Sequence, residues 1–560
     1  MKKKPETKKI SKKKKINKKI SFNFKKPKLT HKEHILENVN NTNVVEKEIS
    51  KEILHHSEII SDFEIGKPYK IVYGQLTANV TIKKMHGDHV FTYFLEPPLF
   101  DAGTNAIIEE VKTSLLKQVN ISTQEALNIK LADQLREKFM QLGKELLRQQ
   151  LPEVDETKID VIARVITNQM LGLGDIEYLL RDNYIEEICI NGPNMPIWVY
   201  HRKIGWVKTN MEIANDNMIW NLAASIARGV GRQINNNQPI LDAYLSTGDR
   251  VNATLFPISY FGNTITIRKF ARKPWTITDY ILSKTISIDA AALLWEAIQY
   301  ETNIIVSGGT GAGKTSLLNV LTMFIPPNQR VVSIEQTREI NLPSYIQWVP
   351  LVVREATSEG TGKVSMLDLM VNSLRMRPDR IIVGEIRRAE EAEVLFEAMH
   401  TGHSVYATLH AETVDETIRR LHNPPINIPP MLLQSLHLIV AMYRDRRRNV
   451  RRTFEIGEVI PSEEKGVYAN VIYRWRPNRD ELLPFEQIIR FNDIIKMYAN
   501  IDDDGIKNDL EEKKIILEWI SKNNINNIED VGNIISLYYD DKEELMKMIK
   551  LNKVPHPKQE

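Results

Sequence analysis

The chain has 560 residues, which is too long for a single hydrophobic core and predicts three or four domains. Hydrophobic residues make up 42% and charged residues 26%, as in soluble globular proteins, and the chain contains no run of about 18 apolar residues that would predict a transmembrane helix. The single cysteine, Cys189, excludes an internal disulfide and a multi-cysteine zinc site. The first residues lack the apolar stretch of a signal peptide, so we expect a cytoplasmic protein.

The N-terminal segment is strongly basic. Residues 1–28 contain fourteen lysines and one acid, Glu6, and therefore carry about +13. Because the net charge of the whole chain is +3, the remaining residues carry about −10. Such a tail cannot bury enough apolar surface to fold, and we predict disorder over residues 1–65. The composition is compatible with a solvated tail, and equally with a tail that binds an anionic membrane surface or nucleic acid.

Residues 66–180 combine predicted strands with predicted helices. Alternating apolar residues predict the antiparallel strands of a small sheet domain at Tyr69–Tyr73, Ala78–Ile82 and Val90–Tyr93. Helical spacing of leucines and other apolar residues follows over 104–150 and 157–180, and Pro152 separates two helices. We expect an N-terminal region of strands and helices here.

Residues 181–285 are rich in short β-type runs separated by turn residues such as Asn191-Gly192-Pro193. This pattern predicts a compact α+β domain. Within it, the polar stretch Asp242–Asn252 contains Arg250. The stretch is compatible with an ordinary surface loop, and equally with a loop that donates an arginine to the phosphates of a neighbouring nucleotide domain.

Residues 286–475 alternate apolar strands with helical segments, as a parallel sheet with crossover helices requires. The clearest strands are Val331–Glu335 and Arg380–Val383. Polar helices follow over 476–560 and predict a C-terminal helical segment. The sequence therefore predicts an α/β fold with a smaller α+β domain in front of the main parallel sheet.

A phosphate-binding loop follows the apolar run Ile304–Val306. The pattern from Gly308 to Thr315 matches the phosphate-loop motif in full, and a helix-favouring run follows it. Its glycines allow successive amide N–H groups to converge on a phosphate at the positive end of the helix. We predict that Lys314 neutralises the β- and γ-phosphates and that the Thr315 hydroxyl binds Mg²⁺. The predicted nucleotide-binding residues are Gly308, Gly309, Thr310, Gly311, Ala312, Gly313, Lys314, Thr315 and Ser316.

Carboxylates follow two of the predicted strands. Glu385 comes shortly after Ile381–Val383, which is where a nucleotide-binding sheet offers oxygen to the shell of Mg²⁺. Glu335 and Glu339 lie four residues apart after another strand. Either of these is a candidate for orienting an attacking water, and a solvated turn is the alternative.

Two histidines, His403 and His410, stand at the two ends of the β-type run Ser404–Ala407. Two histidines alone suggest zinc, but no cysteine is nearby and the helical spacing of a zinc site is absent. Polar sensing of the phosphate fits these histidines better than metal binding, and a structural role for either is the alternative.

Together these segments resemble one family. Glu335-Gln-Thr-Arg-Glu339 resembles its aspartate box, Ile382–Arg387 its variant Walker B motif, and Thr401-Gly-His403 with Thr408-Leu-His410 its histidine box. With the phosphate loop, these are the four motifs of the secretion-superfamily ATPases, which power type II secretion, type IV pili and archaeal surface filaments. Details such as Asn423-Pro-Pro-Ile-Asn-Ile-Pro429 look most like archaeal pilus-assembly members, and the archaellum motor is the close alternative.

The resemblance implies an ATP- and Mg²⁺-dependent RecA-like motor domain that works as a ring of six subunits against a polytopic membrane platform protein, at the inner face of the cell membrane. It implies that Glu339 positions the water, that Glu335 is secondary, and that Arg250 and Arg268 of the smaller domain approach the phosphates. The sequence departs from the family at Gln336, where an aspartate is common. It also lacks the four-cysteine zinc site of many bacterial members. A nucleic-acid translocase is less favoured, and a nucleotide-gated structural ring is a third possibility.

Overall fold

The computed structural model describes residues 64–553, apart from 74–75, 119–128, 246, 271–273, 355, 357–360, 449 and 465. The predicted disordered tail therefore lies outside the described residues, except for its last two positions. None of the helices in the described part of the chain combines the length and the hydropathy needed to cross a bilayer.

Nine strands from the first half of the described chain form one sheet, in the order β1-β2-β3-β6-β5-β4-β9-β8-β7. The strands are β1 (Tyr69–Tyr73), β2 (Leu76–Lys83), β3 (Thr92–Glu96), β4 (Ile185–Ile190), β5 (Pro196–His201), β6 (Gly205–Glu212), β7 (Ile240–Tyr244), β8 (Arg250–Thr254) and β9 (Thr264–Arg268). We refer to this as the first sheet. Apolar residues alternate along its strands, so that β2, for example, buries every second side chain.

The strands predicted over 66–96 do not form a separate small sheet. β3 pairs in parallel with β6, with Thr92 opposite Lys208 and Tyr93 opposite Thr209, and this pairing adds β1–β3 to the first sheet. A buried carboxylate fixes the junction, because Asp182 accepts hydrogen bonds from the hydroxyls of Tyr69 (2.6 Å) and Tyr93 (2.7 Å). The sequence pattern predicted the strands correctly but gave no information on a partner more than a hundred residues away.

Among the described residues of this half of the chain, five helices are present. They are α1 (Ala102–Gln118), α2 (Ile129–Gln150), α3 (Glu156–Leu171), α4 (Ile176–Arg181) and α5 (Asp216–Gly229). Apolar faces of the first three pack around Val111, Leu115, Phe139, Leu147 and Ile166. Pro152 lies between α2 and α3, as predicted.

The second sheet also has nine strands, in the order β12-β11-β13-β14-β10-β15-β16-β17-β18. The six strands from β12 to β15 in this order are parallel, and the last three are antiparallel. The strands are β10 (Ile304–Gly308), β11 (Arg330–Glu335), β12 (Gln347–Val352), β13 (Arg380–Val383), β14 (Ser404–Leu409), β15 (Leu438–Asp445), β16 (Val450–Ser462), β17 (Gly466–Arg476) and β18 (Glu481–Pro484). The parallel sheet that the sequence predicted is confirmed.

Helices cover both faces of the second sheet, which is why its central strands are apolar runs rather than alternating ones. The side chains of Ile304 and Val306 pack into one apolar core, whereas Ile305 packs into another on the opposite face. The helices are α6 (Ile277–Leu282), α7 (Ile288–Gln299), α8 (Lys314–Thr322), α9 (Met366–Ser373), α10 (Ala389–His400), α11 (Val414–His422), α12 (Pro430–Leu433), α13 (Phe491–Ala499), α14 (Asp503–Lys522), α15 (Ile528–Asp540) and α16 (Lys542–Lys550).

The C-terminal helices α13–α16 join the core on one face of the second sheet. Trp295 of α7 is fully buried there and stacks on Phe324 with ring centroids 5.1 Å apart. The ring of Tyr538 from α15 meets Trp295 edge-on at 4.9 Å, and the indole nitrogen donates to the Tyr539 hydroxyl at 3.0 Å. The predicted C-terminal helical segment is therefore packed against the main domain through an aromatic cluster.

Replacing Trp295 by alanine tests this packing. Removing a fully buried indole leaves a cavity, so we expect Trp295→Ala to lower the free energy of unfolding by about 3–5 kcal/mol. Thermal unfolding measures the loss, and limited proteolysis should cut the C-terminal helices sooner. Trp220→Ala is the matched control, since Trp220 is 41% exposed and should change stability little. Equal unfolding temperatures for the two variants would contradict the assigned role of the cluster.

Candidate nucleotide site

The phosphate loop connects β10 to α8 at the centre of the parallel strands. β10 ends at Gly308 and α8 begins at Lys314. Gly308, Gly311 and Gly313 have φ angles of 148°, 71° and 94°, which favour glycine. At Gly308 a side chain is also excluded by space, because a Cβ atom would come within 2.6 Å of the Met442 carbonyl oxygen. The backbone thus has the conformation in which loop amides turn towards an anion at the start of a helix.

Lys314 lies inside this loop. Its side chain is mostly buried, and Nζ donates hydrogen bonds to the carbonyl oxygens of Gly308 (3.1 Å) and Gly309 (3.2 Å). Burial lowers the pKa of Lys314, and the negative charges of Glu385 and Glu339 act in the opposite direction. Two loop carbonyls thus hold the ammonium group in the loop, and the charges of two carboxylates of the predicted site favour its protonated form.

Glu385 and His410 meet beside Lys314. Their strands, β13 and β14, are parallel neighbours that end at the same edge of the sheet. Oε1 of Glu385 lies 2.7 Å from Nε2 of His410, and the ring of His410 lies 3.4 Å from Lys314 Nζ. The other oxygen of Glu385 accepts from Arg387 Nε at 2.6 Å. Burial and the charge of Lys314 lower the pKa of His410, which favours the neutral imidazole at this position.

His403 does not reach this site. It precedes β14, whereas His410 follows it, so the two histidines stand at opposite edges of the sheet. A six-residue strand separates them by roughly 20 Å. His403 instead lies 3.3 Å from the hydroxyl of Thr401. Within this chain, only His410 of the two predicted histidines adjoins the phosphate loop, because two residues at the opposite ends of one strand cannot converge.

Glu335 and Glu339 occupy different environments. Glu335 ends β11, is 2% exposed, and its Oε1 accepts the backbone N–H groups of Glu339 (2.8 Å) and Ile340 (3.1 Å). Burial raises the pKa of Glu335 to about 7. Glu339 is exposed, and its charge acts on Lys314 and Arg250. Glu335 thus holds the turn that carries Glu339 towards the loop.

One row of cross-strand neighbours on the first sheet faces this edge of the second sheet. From β7 to β5 it consists of Tyr244, Arg250, Arg268, Glu187 and Tyr200. At one end, the Tyr244 hydroxyl lies 3.0 Å from the hydroxyl of Thr337, in the turn held by Glu335. Neighbours in such a row project to the same face of a sheet, so the row brings Arg250 and Arg268 together.

The two predicted arginines differ in their partners. Arg250 donates to both oxygens of Asp242, at 3.2 and 2.8 Å, and this pairing raises its pKa. Arg268 is exposed, and within the described part of the chain its side chain has no hydrogen-bond or ion-pair partner. Burial is the main cause of the lowered pKa of Lys314, and the positive charge of Arg268 acts in the same direction.

Sequence reasoning missed Arg444 and Arg451. Arg451 Nε donates to the carbonyl oxygen of Gly311 at 3.0 Å. A Cβ atom on Gly311 would lie 2.7 Å from Arg444, so this guanidinium also lies against the loop. The available signal was the density of arginines over 444–452, six in nine residues, but the sequence did not show that this segment adjoins β10.

Comparison with known proteins identifies the family. Residues 171–454, slightly more than half of the chain, match the family described as Type II/IV secretion system protein. The chain belongs to this family. The expected kinship with the type II/IV secretion superfamily is thereby confirmed, and the two sheets with their helices agree with the expected α/β fold and helical C-terminal region.

Individual proteins of other organisms are similar to this chain. An uncharacterized protein of Methanocaldococcus jannaschii is 33% identical over 390 residues, which cover 68% of this chain and 70% of the relative. Type IV secretion system protein PtlH of Bordetella pertussis is 34% identical over 260 residues, 42% of this chain and 76% of that protein. The crystal structure of the VirB11 ATPase of Brucella suis is similar with 25% identity and a TM-score of 0.26, over 50% of this chain and 94% of that chain.

The raised pKa of Glu335 predicts a pH-dependent stability. Between about pH 4.5, where an unfolded glutamate loses its proton, and pH 7, only the folded chain keeps this proton, so stability falls as the pH rises. Glu335→Gln keeps an oxygen that can accept both N–H groups but cannot titrate. We therefore expect the variant to lose less stability than the unsubstituted protein from pH 5 to 8, by about 2 kcal/mol.

Denaturant unfolding at several pH values measures this difference. Glu397→Gln, an exposed substitution on α10, is the control and should follow the curve of the unsubstituted protein. If the curve of Glu335→Gln runs parallel to that curve as well, Glu335 does not titrate near pH 7 and its assigned environment is incorrect.

Proposed function

We propose that this protein is the ATP-hydrolysing motor of a type II/IV secretion system, and that it drives the assembly of an archaeal type IV pilus. The observation that carries the proposal is the meeting of Lys314, Glu385, His410 and the Glu339 turn at the phosphate loop. Membership of the type II/IV secretion family supports the assignment of this activity to a secretion system. The archaellum motor is the alternative within the same family, since both would use the same site.

The triphosphate would be held mainly by positive charge and backbone donors. The loop amides from 309 to 315 would surround the β-phosphate, and the Lys314 ammonium would neutralise the β- and γ-phosphates. In the structure Nζ donates only to two loop carbonyls and contacts a histidine, so a phosphate oxygen is a stronger acceptor that it can turn to. Thr310, Ala312 and Ser316 complete the surface around the nucleotide.

Mg²⁺ would arrive with the nucleotide rather than occupy a site of its own. The described residues hold no group of three or more histidine, cysteine, aspartate or glutamate side chains suited to a metal. The Thr315 hydroxyl and the Glu385 carboxylate form a sparse oxygen donor set, which fits an ion that keeps its waters and phosphate ligands. When bound, Mg²⁺ would neutralise charge that develops on the phosphates.

Hydrolysis would depend on Glu339 and on arginines of the first sheet. Glu339 is exposed beside Lys314, whereas Glu335 is committed to two backbone N–H groups, so we assign the orientation of the attacking water to Glu339. We expect Arg268 to approach the phosphates before Arg250 does, because its side chain has no partner among the described residues that it would have to leave. Arg250 would have to weaken its ion pair with Asp242 before its guanidinium could approach the phosphates as well.

The cellular setting follows from the family resemblance. We propose a homohexameric ring in the cytoplasm, bound to the inner face of the membrane through a polytopic platform protein. The lysine-rich tail adds a possible contact to anionic lipids. A nucleic-acid translocase would use the same loop, and it is distinguished by stimulation of ATP turnover by DNA with a steep salt dependence.

Lys314→Ala should abolish ATP turnover, because the variant loses the cation that neutralises the phosphates. Phosphate release by the purified full chain, with Mg²⁺ and ATP, measures the loss, and we expect a fall of at least about 100-fold. Lys117→Ala, in the last turn of α1, is a matched control away from the site. Near-normal turnover in Lys314→Ala would exclude this loop as the site of hydrolysis.

Glu339→Gln should separate binding from hydrolysis. The amide keeps the shape of the side chain but is a poor acceptor for a proton of water, so we expect turnover to fall by about 100-fold while ATP still binds. Calorimetric titration with ATP and Mg²⁺ gives the affinity, and phosphate release gives the rate. Unchanged turnover would transfer the role to another residue, and Glu335→Gln would then be the next variant to assay.

A further inference from the structure

The hairpin formed by β15 and β16 lies beside the phosphate loop. β15 pairs in parallel with β10, with Met442 opposite Gly308, so two residues later the strand passes the loop. There Arg444 faces Arg451 across the hairpin. Both side chains reach Gly311, as the 3.0 Å hydrogen bond from Arg451 and the close approach of Arg444 show.

Two guanidinium groups opposite each other on neighbouring strands repel, so groups that offset their positive charge are needed to keep both beside the loop. Nη2 of Arg451 lies 3.7 Å from Oε2 of Glu186 on β4, and the other oxygen of this carboxylate, Oε1, accepts a hydrogen bond from Nε of Arg202 at 3.3 Å. Arg444 donates to the hydroxyl of Tyr200 and lies over its ring, 5.6 Å from the centroid. Both partners belong to the first sheet, and the one carboxylate is shared between two arginines.

Glu186 stands at an irregularity of its strand. The register of β4 against β5 shifts between Ile185 and Glu187, which leaves Glu186 outside the regular pairing. Such bulges re-aim a side chain. Glu187 stays in the row that contains Arg268, whereas Glu186 contacts Arg451. The same short segment of β4 thus connects the hairpin to the row of arginines.

We propose that Arg451 is a positioning residue, which fixes the Gly311 carbonyl so that the loop amides face the nucleotide, and which couples the loop to the first sheet through Glu186. This proposal rests on the proposed ATPase function. The carbonyl belongs to the loop that follows β10 of the second sheet, the carboxylate belongs to β4 of the first sheet, and one guanidinium contacts both. A change in the loop on binding a triphosphate therefore acts directly on the strand beside Arg268.

Affinity and turnover of full-chain variants test the proposal, with ATP and Mg²⁺ as the probe. Arg451→Ala removes both contacts, and we expect the affinity for ATP to weaken about tenfold, the worth of a charge-assisted hydrogen bond. Glu186→Gln leaves the bond to Gly311 in place, so affinity should change by less than about twofold while kcat falls about fivefold. In the double variant, kcat should be no lower than in Arg451→Ala alone, since both substitutions remove the same contact between Arg451 and Glu186.

Arg448→Ala is the matched control. Arg448 is on the same hairpin, its side chain is 63% exposed, and its ion-pair partner is Asp445 of the same turn. Its affinity and kcat should equal those of the unsubstituted protein. The proposal would be overturned if Arg451→Ala had the same ATP affinity and kcat as the unsubstituted protein. It would also be overturned if the double variant lost kcat by the product of the losses in the two single variants.

Further measurements distinguish the possible failures. A purely structural role would lower the unfolding temperature of Glu186→Gln without the selective loss of kcat, and that result would also overturn the proposal. If Arg451→Ala does not fold, judged by circular dichroism, the kcat of Glu186→Gln decides alone. If the unsubstituted protein neither binds nor hydrolyses ATP, the proposed function fails together with this inference. If the unsubstituted protein is active and Arg451→Ala has the same affinity and kcat, only this inference fails.

Discussion

The parallel pairing of β11, β13, β14 and β10 is the constraint on which the candidate site depends. Parallel strands end at one edge of a sheet, so the residues that follow each strand meet there. Lys314, Glu385 and His410 come from segments spread over about a hundred residues of sequence, yet their side chains lie within hydrogen-bond distance of a neighbour in the set. A shift of one residue in any of these pairings would turn a buried side chain to the other face and separate the groups.

The charges at this edge balance one another only in part. Burial disfavours the Lys314 ammonium, and two carboxylates compensate for it. The arginines of the first sheet and of the β15–β16 hairpin add positive charge, while Glu186 is shared between two of them. An excess of positive charge around a loop of amide donors is suited to a polyphosphate, because the ligand itself would supply the missing negative charge.

The first sheet and the C-terminal helices support this edge in different ways. The first sheet contacts the site itself, through Tyr244 at the Glu335 turn and through Glu186 and Tyr200 at the hairpin. The C-terminal helices lie beyond the segment that matches the family and pack against α7 through Trp295. The first sheet therefore contributes contacts to the candidate site, whereas the C-terminal helices stabilise the domain that holds the loop.

The sequence by itself determined the features that are local in the chain. The phosphate loop is recognisable because its glycines and its lysine must stand at fixed spacing between a strand and a helix, and Glu385 is recognisable because it comes shortly after an apolar strand. Tertiary structure alone decided the features that depend on distant pairing. It placed His403 and His410 at opposite ends of one strand, and it paired β3 with β6. It also buried Glu335 as an acceptor of backbone N–H groups while Glu339 stayed exposed, and it brought Arg451 into contact with Gly311. Spacing along a chain fixes which residues share a turn or a strand end, but only strand order and register fix which of those ends meet.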